Sequence, residues 1–226
     1  MSLSGEEQRA AMSLSGEEQR AAGPGPEAGA PRFSRFGAAV TVVVALALAG
    51  ALLGVLWAWL APPIHGVVAL TRSGQRVHTY LGNESDNFFV AAAMLIGLLT
   101  ILAIVAAVLV WQWRAHRGPV IAAALWIGAV AAAAAAASVG AALVHWRYGA
   151  VVYDAAPVTP QNRVFYFTEA PPVFLGHGPL QILATLLLPA AVAALVYALM
   201  VVATPRDDLG AWPALTHEPM LHSSPA

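Results

Sequence analysis

Four stretches of the chain, 37–61, 88–112, 119–144 and 179–203, are apolar on every helical face. Each is 25 or 26 residues long and contains no Asp, Glu, Arg or His. An amphipathic helix on a soluble core keeps one polar face, and these segments have none. At about 1.5 Å rise per residue, a helix of this length measures about 37 Å, enough to cross a hydrocarbon core of about 30 Å with some tilt. As buried helices of a soluble protein, all four would have to be hidden from water on every side, which a chain of this length does not achieve. The pattern therefore predicts an all-α transmembrane class, a four-helix membrane bundle.

The two longer connections, 62–87 and 145–178, change pattern. In the first, VVALT and RVHTY flank RSGQ, a turn whose Gly74 is free to take positive φ. In the second, AVVYD and RVFYFT bracket a Pro-rich APVTPQ, and their β-branched and aromatic content suits strands. One hairpin alone is marginal in water, so the two loops are expected to pair into a small β-containing cap. APPIHG and EAPPVFLGHGP read as rigid connectors. In GNESDN, Ser85, Asp86 or Asn87 is expected to cap the next helix, with Glu84 and Asp86 favouring its positive end.

Residues 1–36 begin with MSLSGEEQRAA, which recurs unchanged at 12–22, and continue into GPGPEAGAP. They read as a disordered tail rather than a signal peptide, because a polar leader precedes an apolar run too long for an h-region. Residues 204–226 form a second tail. Arg32, Arg35, Arg114, Arg117 and Arg206 lie within five residues of a span on one side, against Arg147 alone on the other. This imbalance predicts N- and C-termini cytoplasmic and an extracytoplasmic cap. Arg35, Arg114 and Arg117 are the topology determinants. Trp57, Trp59, Trp111, Trp113 and Trp146 are placed as interface anchors at the span ends.

Composition narrows the function. The chain is 59% hydrophobic and 10% charged, with a mean hydropathy of +0.68, a net charge of -1 and no cysteine. A nucleic-acid partner has no electrostatic support, and a disulfide scaffold is excluded. All eleven basic residues are Arg, and Ala is roughly a fifth of the chain, a usage typical of GC-rich coding sequence. Polar residues inside the spans are few and include Thr41, Thr100, Ser138, Gln181, Thr185 and Tyr197. Hydroxyls at such depth usually bond their own helix, and a proton or ion path would call for ionisable groups. Small residues recur every fourth position: Gly50, Gly54 and Ala58; Gly128, Ala132, Ala136 and Gly140; Ala190, Ala194 and Ala198. Such stripes let helices approach closely, within the bundle or against a partner.

His65, His78, His145 and His177 are the candidate metal ligands, but they show no HxxxH or HExxH spacing. No GxSxG, Walker A, DxD or Cys–His arrangement occurs, so no enzyme activity, catalytic residue or cofactor is predicted.

The strings LWAWLAPPIHGVVALTRSGQRVHTYLGNESDNFF, APVTPQNRVFYFTEAPPVFLGHGPLQ and ATPRDDLG resemble an actinobacterial, chiefly mycobacterial, membrane family of unknown function. The resemblance covers about 36–210 and implies an integral inner-membrane protein without an assigned activity. The leading expectation is a non-enzymatic accessory or scaffold subunit of the cell envelope. Its partners would be the lipid bilayer and another envelope membrane protein, or a second copy of the chain. The alternatives are a transporter or lipid-handling protein using a groove between helices and, last, an envelope enzyme or metal-binding protein.

Overall fold

The computed structural model describes residues 34–204, the side chain of Ala115 excepted, and all of these but Ser34 belong to the unit that begins at Arg35. The expected tails, apart from Ser34–Phe36 and Thr204, lie outside the described residues.

Four long helices carry the fold: α1 (Arg35–Leu60), α2 (Asn87–Gln112), α3 (Pro119–Tyr148) and α4 (Pro179–Val202). By length and composition all four are able to cross a membrane. Helix α1 takes in Arg35 and Phe36, which the sequence had left in the tail. Helix α3 starts at Pro119, whose fixed φ suits a first helical turn. It runs four residues past the expected end, so His145 and Trp146 are helical rather than loop. Nothing between Val144 and Tyr148 breaks a helix. Gly149 does, with φ 72° and its N–H bonded to the His145 carbonyl at 2.8 Å. Helix α4 also starts on a proline and stays helical through the buried Pro189.

The helices do not pack in chain order. The most extensive interface is α1 on α3; α4 packs on α2 and α3, while α1–α2 and α2–α3 touch little. Glycine explains the first pairing. A Cβ built on Gly50 would overlap the Ala132 backbone, and one on Gly54 would lie 2.5 Å from the Ala136 carbonyl oxygen. Only hydrogen at these positions lets the two backbones touch. Large side chains elsewhere turn outward: Leu48, Leu52, Ile101, Leu109, Leu195 and Val202 are all at least 60% exposed. Such an apolar exterior is foreign to a water-soluble monomer.

Three strands form the cap: β1 (Ile64–Leu70), β2 (Arg76–Tyr80) and β3 (Val164–Glu169), antiparallel in the order β2–β1–β3. The two loops thus share one sheet, with β1 in the middle. The β1–β2 turn closes with the Gly74 N–H on the Thr71 carbonyl at 3.0 Å and Gly74 at φ 82°. Two expectations are corrected here. The connector APPIHG is half strand, because Ile64 and Gly66 point into the sheet's packed face. AVVYD is not a strand: Val151 and Tyr153 pack against the cluster of Val68, Ala156, Val158 and Phe167, and Tyr153–Ala155 form a short 3-10 turn. Apolar side chains drew this segment over the sheet instead of along its edge.

Candidate functional site

Direct pairing places Ile64, Gly66 and Val68 of β1 on one face with His78, Tyr80, Phe165, Phe167 and Glu169. The 150–158 segment covers this face. Arg76 ties it down, donating from Nη1 to the carbonyls of Asp154 (2.6 Å) and Ala156 (2.9 Å). Glu169 collects two phenols: Tyr153 donates to Oε2 at 2.9 Å and Tyr80 at 3.3 Å. Burial pushes the Tyr153 hydroxyl well above its ordinary 10.0, reinforced by its hydrogen bonds to Tyr80 and Glu169. Tyr80 is also raised, chiefly by burial and further by the Glu169 charge. Both phenols therefore stay protonated donors. Rings complete the cluster: His78 stacks on Tyr153 at 4.7 Å, and Phe167 meets Tyr153 edge-on at 5.3 Å.

The opposite face carries His65, Val67 and Ala69 from β1, Val77 and Thr79 from β2, and Val164, Tyr166 and Thr168 from β3. It is largely bare. Val77 is 50% exposed, Val164 42% and Tyr166 68%.

His65 meets Glu84 at the rim of the cap. The Glu84 carboxylate accepts the His65 backbone N–H and lies 2.7 Å from its Nδ1. The backbone bond is the main reason that the Glu84 carboxyl sits below its ordinary range. This corrects the capping expectation: Ser85, Asp86 and Asn87 make no side-chain cap on the first turn of α2. Glu84 is taken up by His65, and the Asn87 amide donates to the Pro63 carbonyl at 3.0 Å. Among the described residues no three His, Asp or Glu side chains converge on one point. His78 stacks on Tyr153, His145 reaches its own helix at the Ala141 carbonyl (3.1 Å), and His177 is exposed.

Of the five tryptophans placed at the interfaces, one is a correction. Trp57 is fully buried, its Nε1–H donating to the Ala91 carbonyl at 2.7 Å. The room comes from Gly140, where a Cβ would stand 2.9 Å from the indole. Trp59 and Trp146 are 74% and 86% exposed at the cap end of the bundle. Trp111 and Trp113 are half-buried at the other end, where the Arg117 guanidinium lies 4.3 Å from the Trp111 ring and donates from Nε to its carbonyl. Arg35, His116 and Arg117 line a small cavity there, and Arg114 opens a 3-10 turn beside it. Gly128 packs on Leu46 and Val43, so Gly50, Gly54, Gly128 and Gly140 all lie in the α1–α3 seam. The hydroxyls of Thr41, Ser138 and Thr185 bond carbonyls of their own helices.

Three larger hollows adjoin α3. An apolar groove of about 460 Å³ lies between the N-terminal parts of α1 and α3, lined by Phe36, Val40, Val44, Val120 and Ile127. At the cap end, a cleft of about 260 Å³ lies beside Ala58, Trp59, Leu143 and Trp146. Above it is a cavity of about 580 Å³ between α3, the 150–157 segment and β3. Arg147 lines both of these.

The model of a protein family of unknown function, DUF2567, matches residues 46–211, which takes in all three strands and all but the first turns of the bundle. The chain belongs to the DUF2567 family. An uncharacterised protein of Mycobacterium tuberculosis is 56% identical over 174 residues, covering 76% of this chain and 90% of the relative. One from Mycobacterium leprae is 57% identical over 171 residues, covering 76% and 86%. The family is thus mycobacterial at least in part, and its description carries no activity. No solved structure matches the chain.

Sequence reasoning missed the Tyr80–Glu169–Tyr153 network and the position of Arg147. Tyr80 and Glu169 are far apart in the chain, and only the β2–β1–β3 order brings them together. A signal for Arg147 was present: it is the single arginine within five residues of a span end on its side.

Proposed function

We propose that this DUF2567 protein is a non-enzymatic accessory or scaffold subunit of the cell envelope, held in the cytoplasmic membrane by its four helices. Both termini lie in the cytoplasm, and the cap docks another envelope membrane protein. The observation that supports this reading is the bare sheet face. A three-stranded sheet normally buries one face and solvates the other with polar side chains. Here the second face presents Val77, Val164 and Tyr166 alongside Val67 and Ala69. An exposed face on which apolar side chains and an edge-strand aromatic stand among His65, Thr79 and Thr168 suits a protein interface. The opposite face is tied by Arg76 and Glu169, which keeps the surface stiff and lowers the entropy cost of docking.

Co-purification tests it. After mild detergent extraction, a stable partner is expected with the unaltered chain, reduced severalfold by Val77→Ser/Tyr166→Ser and lost on deleting the hairpin around Gly74. Isolation as a lone monomer in every mild detergent overturns the reading, as does a partner indifferent to both changes. The threading has its own test in reporter fusions at His116 and Gln161. A cytoplasmic signal is expected at the first and an extracytoplasmic one at the second; the reverse pattern inverts the topology.

A further inference from the structure

We infer that Arg147 is the phosphate anchor of a binding site for one anionic phospholipid at the cap end of the bundle, independent of the bare sheet face. Arg147 sits in the last turn of α3, one residue before the helix ends. Its guanidinium lies 5.5 Å from the centre of the Trp59 ring and 5.2 Å from that of Tyr148, held between an α1 and an α3 aromatic. This stacking orients the planar fork and leaves its N–H donors for an acceptor of matching geometry, a phosphodiester above all. Among the described residues no carboxylate pairs with it; the ion pair there is His65–Glu84. The positive charge is therefore uncompensated by any described carboxylate.

The surroundings specify a lipid rather than a free anion. On the membrane side of Arg147 is the cleft of about 260 Å³, walled by Trp59, Trp146 and Leu143. Apart from Arg147 it is lined by Ala58, Leu143 and the two exposed indoles, which are of the kind that settle at headgroup depth. It accepts the start of an acyl chain. On the cap side is the cavity of about 580 Å³, a size within the range of about 300–1,000 Å³ that holds small organic ligands. One of its walls is the free edge of β3. The strand order makes β3 an edge strand, and the Arg163 carbonyl accepts the Leu70 N–H at 2.8 Å. Antiparallel alternation then turns the N–H and C=O of Phe165 and Phe167 toward β1, and those of Tyr166 and Thr168 toward the cavity. Outward backbone donors and acceptors suit a hydroxylated headgroup. Apolar-rich cleft, cation and a cavity of mixed lining with one polar backbone edge thus follow one another in the order of acyl chain, phosphate and polyol.

The test uses the full chain in mild detergent, titrated separately with phosphatidylglycerol and phosphatidylcholine and read by native mass spectrometry. Phosphatidylglycerol is expected to bind roughly tenfold more tightly, the scale of one charge-assisted contact. That preference should fall to near unity in Arg147→Gln, stay partial in Arg147→Lys, which keeps charge but not the planar stack, and persist in Arg72→Gln, at the exposed turn. Thermal melts of each variant confirm folding; if Arg147→Gln fails to fold, the Arg147→Lys titration decides, and an undiminished preference there counts against the site. Equal affinity for the two lipids overturns the proposal, as does a preference that survives Arg147→Gln. Displacement of the lipid by equimolar glycerol 3-phosphate also overturns it, assigning the site to a soluble phosphate.

Discussion

Replacing Gly54 by Ala adds one methyl group to the seam between α1 and α3. Built on the backbone, that Cβ lies 2.5 Å from the Ala136 carbonyl oxygen, 2.9 Å from its Cα and 3.1 Å from its carbonyl carbon. All three are backbone atoms, so no rotamer change relieves the overlap. Moving the oxygen from 2.5 Å to the 3.4 Å where ordinary contact begins takes a shift of about 0.9 Å. A gap of roughly 0.5–1 Å forfeits a quarter to a half of the dispersion well along the seam. Overpacking of this kind costs about 1–3 kcal/mol. Against it stands the gain from replacing Gly by Ala within a helix, about 1 kcal/mol. Gly97→Ala isolates that gain, because Gly97 is exposed on α2 and a Cβ there meets nothing within 4 Å. The propensity term cancels between the two variants, leaving a difference of about 1–3 kcal/mol that reports the seam alone. Unfolding in mixed micelles by increasing sodium dodecyl sulfate, followed by tryptophan fluorescence, measures it. A Gly54→Ala protein as stable as Gly97→Ala would refute the claim that α1 and α3 meet backbone to backbone.

Trp57→Phe removes the donor to the Ala91 carbonyl and part of a fully buried ring, and should cost about 1–3 kcal/mol in the same assay; it should also remove the most blue-shifted component of the emission. The lowered Glu84 carboxyl contributes stability that is present above its ordinary value of 4.5 and is lost as pH falls through that value to the folded one. Thermal melts should therefore show the cap loosening below about pH 4.5, and Glu84→Gln should remove that dependence. Tyr80 and Tyr153 act with the opposite sign: their raised hydroxyls favour the folded cap below pH 10, and that contribution is lost as pH rises beyond their ordinary 10.0. Ultraviolet titration should show Tyr80 and Tyr153 ionising above their ordinary 10.0, and Glu169→Gln should bring both closer to it.

Hydropathy along the chain determined the four helices, their ends to within a few residues, and the hairpin at Gly74. Each of these is a local property: twenty-odd apolar residues in a row, a proline that starts a helix, a glycine at positive φ. It also showed the small-residue stripes, but not which stripe would meet which. Stripes on α1, α3 and α4 have the same spacing, and only the packed bundle sets Gly50 and Gly54 against Ala132 and Ala136. The same distance limit explains Trp57. An indole near a span end reads as an interface anchor, and its burial depends on the space left by Gly140 on another helix. Within the cap, strand-forming content was legible at β2 and β3 but misleading at 150–154, where the same apolar side chains cover the sheet instead of extending it. The Arg147 site lies furthest from the sequence. It takes its aromatic neighbours from α1 and α3, its cleft from their seam and its polar wall from the edge of β3. Periodicity acts over a few residues, so it places elements; charges and cavities are assembled across elements, so their meeting was left to the tertiary structure.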